Sequence, residues 1–102
     1  MLTDSEALAV FDGKSLSYTY DNGLAVTNVF DGADRHTVLN GTELIEPVTV
    51  KNVAAETFYV VWEDVERGPA SQTINFETKT VNTAIAMDGQ LMVMTGAITA
   101  FD

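Results

Sequence analysis

Short runs of alternating apolar and polar residues, separated by turn-forming residues, follow one another along this chain. Eight such runs lie between Leu16 and Ala100, and a turn signal recurs about every ten residues. Alternation with a period of two places successive side chains on opposite faces of a strand. Evenly spaced short strands without a long helical pattern are typical of an up-and-down barrel or a sandwich.

The connections between the runs are short, which favours a closed barrel. Asp21-Asn22-Gly23, for example, carries residues that accept the positive φ of tight hairpin turns. Short connections also make strands that are neighbours in sequence neighbours in space. We therefore predict an all-β fold, a single up-and-down antiparallel β-barrel of about eight strands that comprises residues 1–102 as one domain. The interior of such a barrel is wide enough for its own side chains or for one small ligand.

Three segments depart from the regular strand pattern. Residues 4–10 form one or two helical turns, with Asp4 or Ser5 as the N-cap, and this short N-terminal helix would plug or flank one end of the barrel. Residues 51–56 and 64–70 form longer connections. We expect the mouths of the barrel near these two loops and near His36.

The run over residues 57–63 is apolar on both of its faces, which predicts a strand that is covered on both sides. We assign its wholly apolar face to the interior of the barrel. That face consists of Phe58, Val60 and Trp62.

The opposite face of the same run would then point outward. It carries Tyr59, Val61 and Glu63, and an outward apolar surface of this kind is best explained by a homodimer. In the reverse assignment, Tyr59 and Glu63 would lie inside, where a carboxylate beside a phenol is typical of a general acid or base. In a third interpretation, the outward face binds a different protein.

Charge and residue types exclude several classes of function. The chain has 15 acidic and 5 basic residues, a net charge of −10, which repels nucleic acid and anionic membranes. It has no cysteine and one histidine, so we predict no metal site and no cofactor. The N-terminus lacks the pattern of a secretory signal, and no apolar run approaches the length of a membrane helix, so we expect a cytoplasmic protein.

Five polar or aromatic residues are candidates for a ligand site inside the barrel. Tyr18 and Tyr20 share one face of the first strand and combine an apolar ring with a hydroxyl group, although tyrosines of this pattern also serve as core or interface residues. Asn28 and Asn75 stand in strands, where asparagine is disfavoured, and could either bind a polar ligand or face water. Trp62 completes the set on the inward face of its strand.

Catalysis by proton transfer would need an acid and a base. His36 is the single side chain of its type, and histidine titrates near neutral pH more readily than other residues, although a histidine at the start of a strand is usually solvated. Glu63 and Tyr18 are the other candidates. If the protein is an enzyme, we expect these three residues to act as the acid and base.

Several segments taken together resemble a known family. The order of YTYDNGLAVTNVF, a strand that ends in VVWE, SQTINFETKTVNTA, and a DG turn before TGAI is similar to that in MoaF and MoaF-related domains, over about residues 14–99. The resemblance implies a lipocalin-like (calycin) small barrel with a tendency to bind ligands, and it implies no catalytic residue. Proteins named MoaF commonly contain two such domains, whereas this chain has room for one, so it would pair with itself.

These observations favour one function and leave a second open. We predict a barrel that binds a small, partly apolar metabolite in its lumen, with no nucleic acid or membrane as a partner. The alternative is a cofactor-independent lyase, isomerase or cyclase that uses acid and base residues in the cavity of the barrel.

Overall fold

The computed structural model describes residues 1–39, 41–64 and 67–102, and these form one short helix and a closed antiparallel β-barrel. Each strand pairs with the next along the chain, and the last pairs with the first. The predicted eight-stranded barrel with an N-terminal helix is confirmed. The elements are α1 Asp4–Phe11, β1 Ser15–Tyr20, β2 Ala25–Asp31, β3 Asp34–Leu39, β4 Thr42–Ala54, β5 Thr57–Asp64, β6 Gly68–Asn75, β7 Thr80–Met87 and β8 Gln90–Phe101.

The two connections predicted to be long differ from each other. Strand β4 continues to Ala54, so most of the segment 51–56 is strand and only 55–56 form a turn. The other connection joins β5 to β6, and its residues 65 and 66 lie outside the described residues. The prediction of a long loop at 51–56 is therefore wrong, because the paired strand β5 extends β4 through Asn52 and Ala54. The prediction of a loop over 64–70 is wrong at residue 64, which ends β5, and at residues 68–70, which begin β6.

Helix α1 begins at Asp4 as predicted, but its N-cap is neither Asp4 nor Ser5. Thr3 is the N-cap: its side chain accepts from the backbone N–H of Glu6 at 3.2 Å, and the Glu6 carboxylate accepts from the backbone N–H of Thr3 at 2.9 Å. This is a capping box, in which two helix-end donors are satisfied together. The backbone N–H of Thr3 lowers the pKa of Glu6. Among the described residues, no helix has the length and apolar character needed to cross a membrane.

The inner face of strand β5 is the one assigned from the sequence. Phe58, Val60 and Trp62 are buried, whereas Tyr59 and Glu63 are exposed. Alternation along β1, β5 and β7 likewise puts every second side chain into the lumen.

Barrel closure depends on a close approach of β8 to β1. A Cβ atom at Gly96 would lie 2.7 Å from the backbone oxygen of Thr19, and Gly96 is paired with Tyr20. The pairing also shifts its register between Ser17 and Tyr18. A residue without a side chain at position 96 therefore lets the first and last strands meet.

Candidate functional site

The lumen has two different ends. Helix α1 lies across one end, and its Phe11 side chain is fully buried there. The Phe11 ring lies 5.1–5.9 Å, centroid to centroid, from four other phenylalanine rings, and this cluster closes the barrel at that end. Its other members are Phe30, Phe58, Phe76 and Phe101.

A cavity of about 190 Å³ occupies the opposite end. Its rim includes Asn22 and Leu24 from the β1–β2 turn and Arg67 from the β5–β6 connection, so it opens between hairpins remote from α1. Much of its wall is aliphatic or thioether, and flexible methionine side chains adapt readily to the shape of a guest. The apolar lining includes Val26, Leu44, Ile85, Met92 and Met94.

A buried ion pair lies on the polar side of this cavity. Arg35 Nε donates to Glu46 Oε1 at 3.2 Å, and neither side chain is more than 6% exposed. The Arg35 guanidinium carbon also lies 3.9 Å from the centroid of the Trp62 ring. Stacking and pairing of this kind suit arginine, whose planar charge is weakly hydrated. Arg35 is thus held in the wall with its guanidinium group at the cavity.

A chain of hydrogen bonds fixes the first lining tyrosine. The Thr37 hydroxyl donates to Asn28 Oδ1, and Asn28 Nδ2 donates to the Tyr18 hydroxyl at 2.9 Å. All three side chains are buried. Asn28 therefore positions the Tyr18 hydroxyl from the interior of the wall, in a strand position where its amide needs buried partners.

A second chain fixes the other tyrosine. Gln72 Nε2 donates to Thr83 Oγ1 at 3.0 Å, and the hydroxyl groups of Thr83 and Tyr20 are 2.7 Å apart. Burial raises the pKa of Tyr20 well above its ordinary value, and the neighbouring Tyr18 adds to the increase. The Tyr20 phenol is therefore neutral at physiological pH and can donate a hydrogen bond.

Two buried side-chain atoms among the described residues lack a hydrogen-bond partner. They are Trp62 Nε1 and Gln72 Oε1. Trp62 lines the cavity directly, and Gln72 holds Thr83, which also lines it. Buried polar groups are usually paired, and functional sites are one place where exceptions occur.

Charged groups at the rim form a second pair. The Asp64 carboxylate accepts from the backbone N–H of Arg67 at 3.0 Å and lies 3.5 Å from Arg67 Nη1. Both residues line the cavity. The two arginines and two carboxylates of this region therefore balance one another in charge.

The structure brings four of the five predicted ligand residues to this region. Tyr18, Tyr20 and Trp62 line the cavity, and Asn28 lies behind Tyr18. Asn75 lies elsewhere: it ends β6 and accepts from two backbone N–H groups of the β6–β7 turn, near the closed end. The mid-strand position expected for Asn75 is thus a turn-forming position, where asparagine is favoured.

The predicted acid and base residues are not brought together. His36 is half-buried on the outer face of β3, where it pairs with Val29 and Ile45 and lies 4.0 Å from Glu43. Glu63 is exposed on the outer face of β5. Of the three proposed catalytic residues, only Tyr18 faces the cavity. The expected barrel mouth at His36 is wrong, because the histidine lies on the wall rather than at an end.

Sequence reasoning missed the charged residues of the lumen. Arg35 precedes His36, and Glu46 follows Ile45. In each pair the charged residue that we did not single out, Arg35 or Glu46, is the one that faces inward. One signal could have found Glu46. Counting back by two from the apolar Val48 and Val50 places it on the inner face.

Comparisons with known proteins agree with this architecture. A solved structure from Burkholderia vietnamiensis, provisionally named a beta-lactamase, superposes with a TM-score of 0.78 at 23% identity, over 88% of this chain and 94% of that chain. No curated protein matches the chain. The sequence profile of the MoaF-like family matches residues 12–99. This match spans most of the barrel, and the chain therefore belongs to the MoaF-like family.

Proposed function

We propose that the protein binds one small, partly apolar molecule in the open end of its barrel. The observation that supports this most directly is the cavity of about 190 Å³, with its apolar wall and a few buried polar groups. That combination is typical of small-molecule sites. An apolar cavity of about 150 Å³ is enough for benzene, so this one suits a molecule with a single ring or a short branched chain.

The difference between the two ends of the barrel also supports the proposal. Phe11 and its neighbours fill the lumen beside α1, so a guest has room only at the other end. There, Leu44, Ile85 and Met92 would contact its apolar part. The 23% identity with the structural neighbour concerns the fold alone, and we propose no activity from its name.

Binding can be followed through Trp62, the chain's single tryptophan, which lines the cavity. We expect benzyl alcohol, a neutral compound with one ring, to change Trp62 fluorescence in a saturable manner. Native mass spectrometry of the gently purified protein would report any molecule that remains bound.

A variant with a filled cavity, compared with a matched surface variant, tests whether benzyl alcohol binds in the lumen. In Ile85→Phe a larger side chain would occupy the site, and we expect saturable binding of benzyl alcohol to be lost. Val93→Phe makes a similar change on the outer face of β8, where Val93 is exposed, and should leave binding intact. Equal binding by both variants would mean that the compound binds outside the lumen and would contradict the proposal.

A further inference from the structure

The polar side of the cavity contains more hydrogen-bond donors than its own contacts use. The hydroxyl groups of Tyr18, Tyr20 and Thr83 contribute three protons. Tyr20 and Thr83 share one hydrogen bond, which uses one proton, and the rings of Tyr18 and Tyr20 are 5.2 Å apart. Asn28 and Gln72 approach this group as donors and accept none of the three. At least one hydroxyl proton therefore remains beyond these contacts.

A cation lies beside these hydroxyl groups. Arg35 lines the same cavity, and its positive charge opposes part of the increase in the pKa of Tyr20. A guanidinium group has five N–H donors in one plane, of which the Nε donor is directed at Glu46. Trp62 covers one face of that plane, so the edge of the group is what a guest can approach.

The local charge balance permits an anion despite the net charge of the whole chain. Arg35 is paired with Glu46, and Arg67 with Asp64, so the region carries no excess negative charge. A guest with a carboxylate group would add acceptors where the hydroxyl proton and the guanidinium edge offer donors. Planar recognition by arginine suits carboxylates in particular.

We propose that the lumen binds a small carboxylic acid, with its carboxylate group against Arg35 and the Tyr20 hydroxyl and its apolar body among Leu44, Ile85 and Met92. This inference rests on the proposed function, because it names the class of ligand for the same cavity. The volume of about 190 Å³ limits the acid to one ring or a short branched chain.

Phenylacetate and phenylacetamide provide the test, because they share a ring and nearly the same size but differ in charge. Titrations followed by Trp62 fluorescence and by calorimetry at pH 7 should show at least tenfold tighter binding of phenylacetate to the unmodified protein. Equal affinity for the two compounds would overturn the carboxylate inference.

Two variants examine the assigned donors. Arg35→Met combined with Glu46→Met removes the ion pair without leaving one charge buried alone, and should reduce the preference for phenylacetate to within about twofold. Tyr20→Phe should weaken phenylacetate binding by about tenfold, whereas Tyr59→Phe on the outer face should not change it. If the double variant does not fold, the Tyr20 comparison still decides. A preference retained by both would overturn the inference.

Failure of this inference can be separated from failure of the proposed function. If benzyl alcohol binds in the lumen but phenylacetate is not preferred over its amide, the cavity binds ligands and the carboxylate assignment is wrong. If benzyl alcohol, phenylacetate and phenylacetamide all fail to bind, both the inference and the proposed function are wrong.

Discussion

Arg35 and Glu46 show how a single buried pair constrains this molecule. Each charge loses water inside the barrel, and this loss is offset by the partner and, for Arg35, by the Trp62 ring. Removal of one partner leaves the other charge buried without this ion pair. The pair should therefore contribute to stability in a strongly non-additive way.

We predict that Arg35→Met or Glu46→Met alone lowers the free energy of unfolding by about 3–5 kcal/mol, and that the double variant loses less than the sum of the two. Urea denaturation of the four proteins measures this coupling. Lys51→Met breaks an exposed pair with Asp4 and should cost less than about 1 kcal/mol. Additive losses from the two buried substitutions would contradict the prediction.

Tyr20 should make the protein sensitive to alkali. Its pKa is raised in the folded state, mainly by burial, so the unfolded chain releases this proton first as the pH increases. The contribution of Tyr20 is fully present below the ordinary tyrosine pKa of about 10 and is lost above it.

We therefore expect the free energy of unfolding to decrease between about pH 9 and pH 11, and to decrease less in Tyr20→Phe. Denaturation curves at several pH values measure both slopes. Tyr59→Phe is the control, because it leaves Tyr20 in place and should keep the alkaline loss. If the free energy of unfolding of Tyr20→Phe decreased with pH as steeply as that of the unmodified protein, groups other than Tyr20 would cause the alkaline loss.

At the scale of elements, α1 acts mainly through one residue. Phe11 is fully buried among four other rings and Ala7 is also fully buried, whereas four of the eight helix residues are exposed. A helix of eight residues has little stability of its own, so its attachment to the barrel depends on its packing, in which Phe11 is the largest fully buried side chain.

We predict that Phe11→Ala lowers the free energy of unfolding by about 3–5 kcal/mol, because it leaves a cavity in the phenylalanine cluster. Thr3→Ala removes only the N-cap and should cost about 1 kcal/mol. Urea denaturation compares the two variants. Similar losses from both would mean that α1 is held by its cap rather than by Phe11.

The strands themselves were largely predictable, because turn residues and a period of two are local signals. In β1 and β5 the apolar residues also face the lumen, so the inward face follows directly from the pattern. In β2 to β4 the inner face mixes apolar and polar residues. Thr37 and Glu46 point inward, whereas Val38 and Ile45 are 63% and 52% exposed on the outside. A polar lumen in this sector departs from the usual rule. The alternation of β4 could have placed Glu46, but the sequence of β3 contains no sign that Arg35 and Thr37 face inward.

Packing between distant parts of the chain determines which end of the barrel is open. Residues 51–56 were expected near a mouth, but they lie at the end closed by α1, whereas Asp64 and Arg67 line the open cavity as expected for 64–70. The cluster around Phe11 joins residues from distant parts of the chain. Such long-range packing leaves no pattern within a single segment, so this part of the site required the structure.

The homodimer stays a prediction, and the structure changes where its interface would be sought. Tyr59 is 38% exposed, but its paired neighbours on the outer face, Lys51 and Thr73, are polar. More strongly exposed apolar residues lie on β3 and β4, at Val38 and Ile45. Sedimentation analysis of Tyr59→Lys and Ile45→Lys measures the contribution of each face. We expect a dimer that Ile45→Lys dissociates and that Tyr59→Lys leaves intact; a monomeric unmodified protein would contradict the prediction.

Gly96 affects both the closure of the barrel and the shape of the cavity. A methyl group there would lie 2.7 Å from the Thr19 backbone oxygen, so β8 would have to move away from β1. We predict that Gly96→Ala lowers the free energy of unfolding by about 1–3 kcal/mol. The control Ala97→Val adds bulk at the next, exposed position of β8 and should cost little.

The same substitution should also weaken ligand binding. Gly96 is paired with Tyr20, so a displacement of β8 moves the strand that positions the Tyr20 hydroxyl next to Thr83. Urea denaturation and titration with benzyl alcohol, performed on the same samples, should therefore show both losses in Gly96→Ala and neither in Ala97→Val. A Gly96→Ala protein that is less stable but binds normally would show that barrel closure and the cavity are independent.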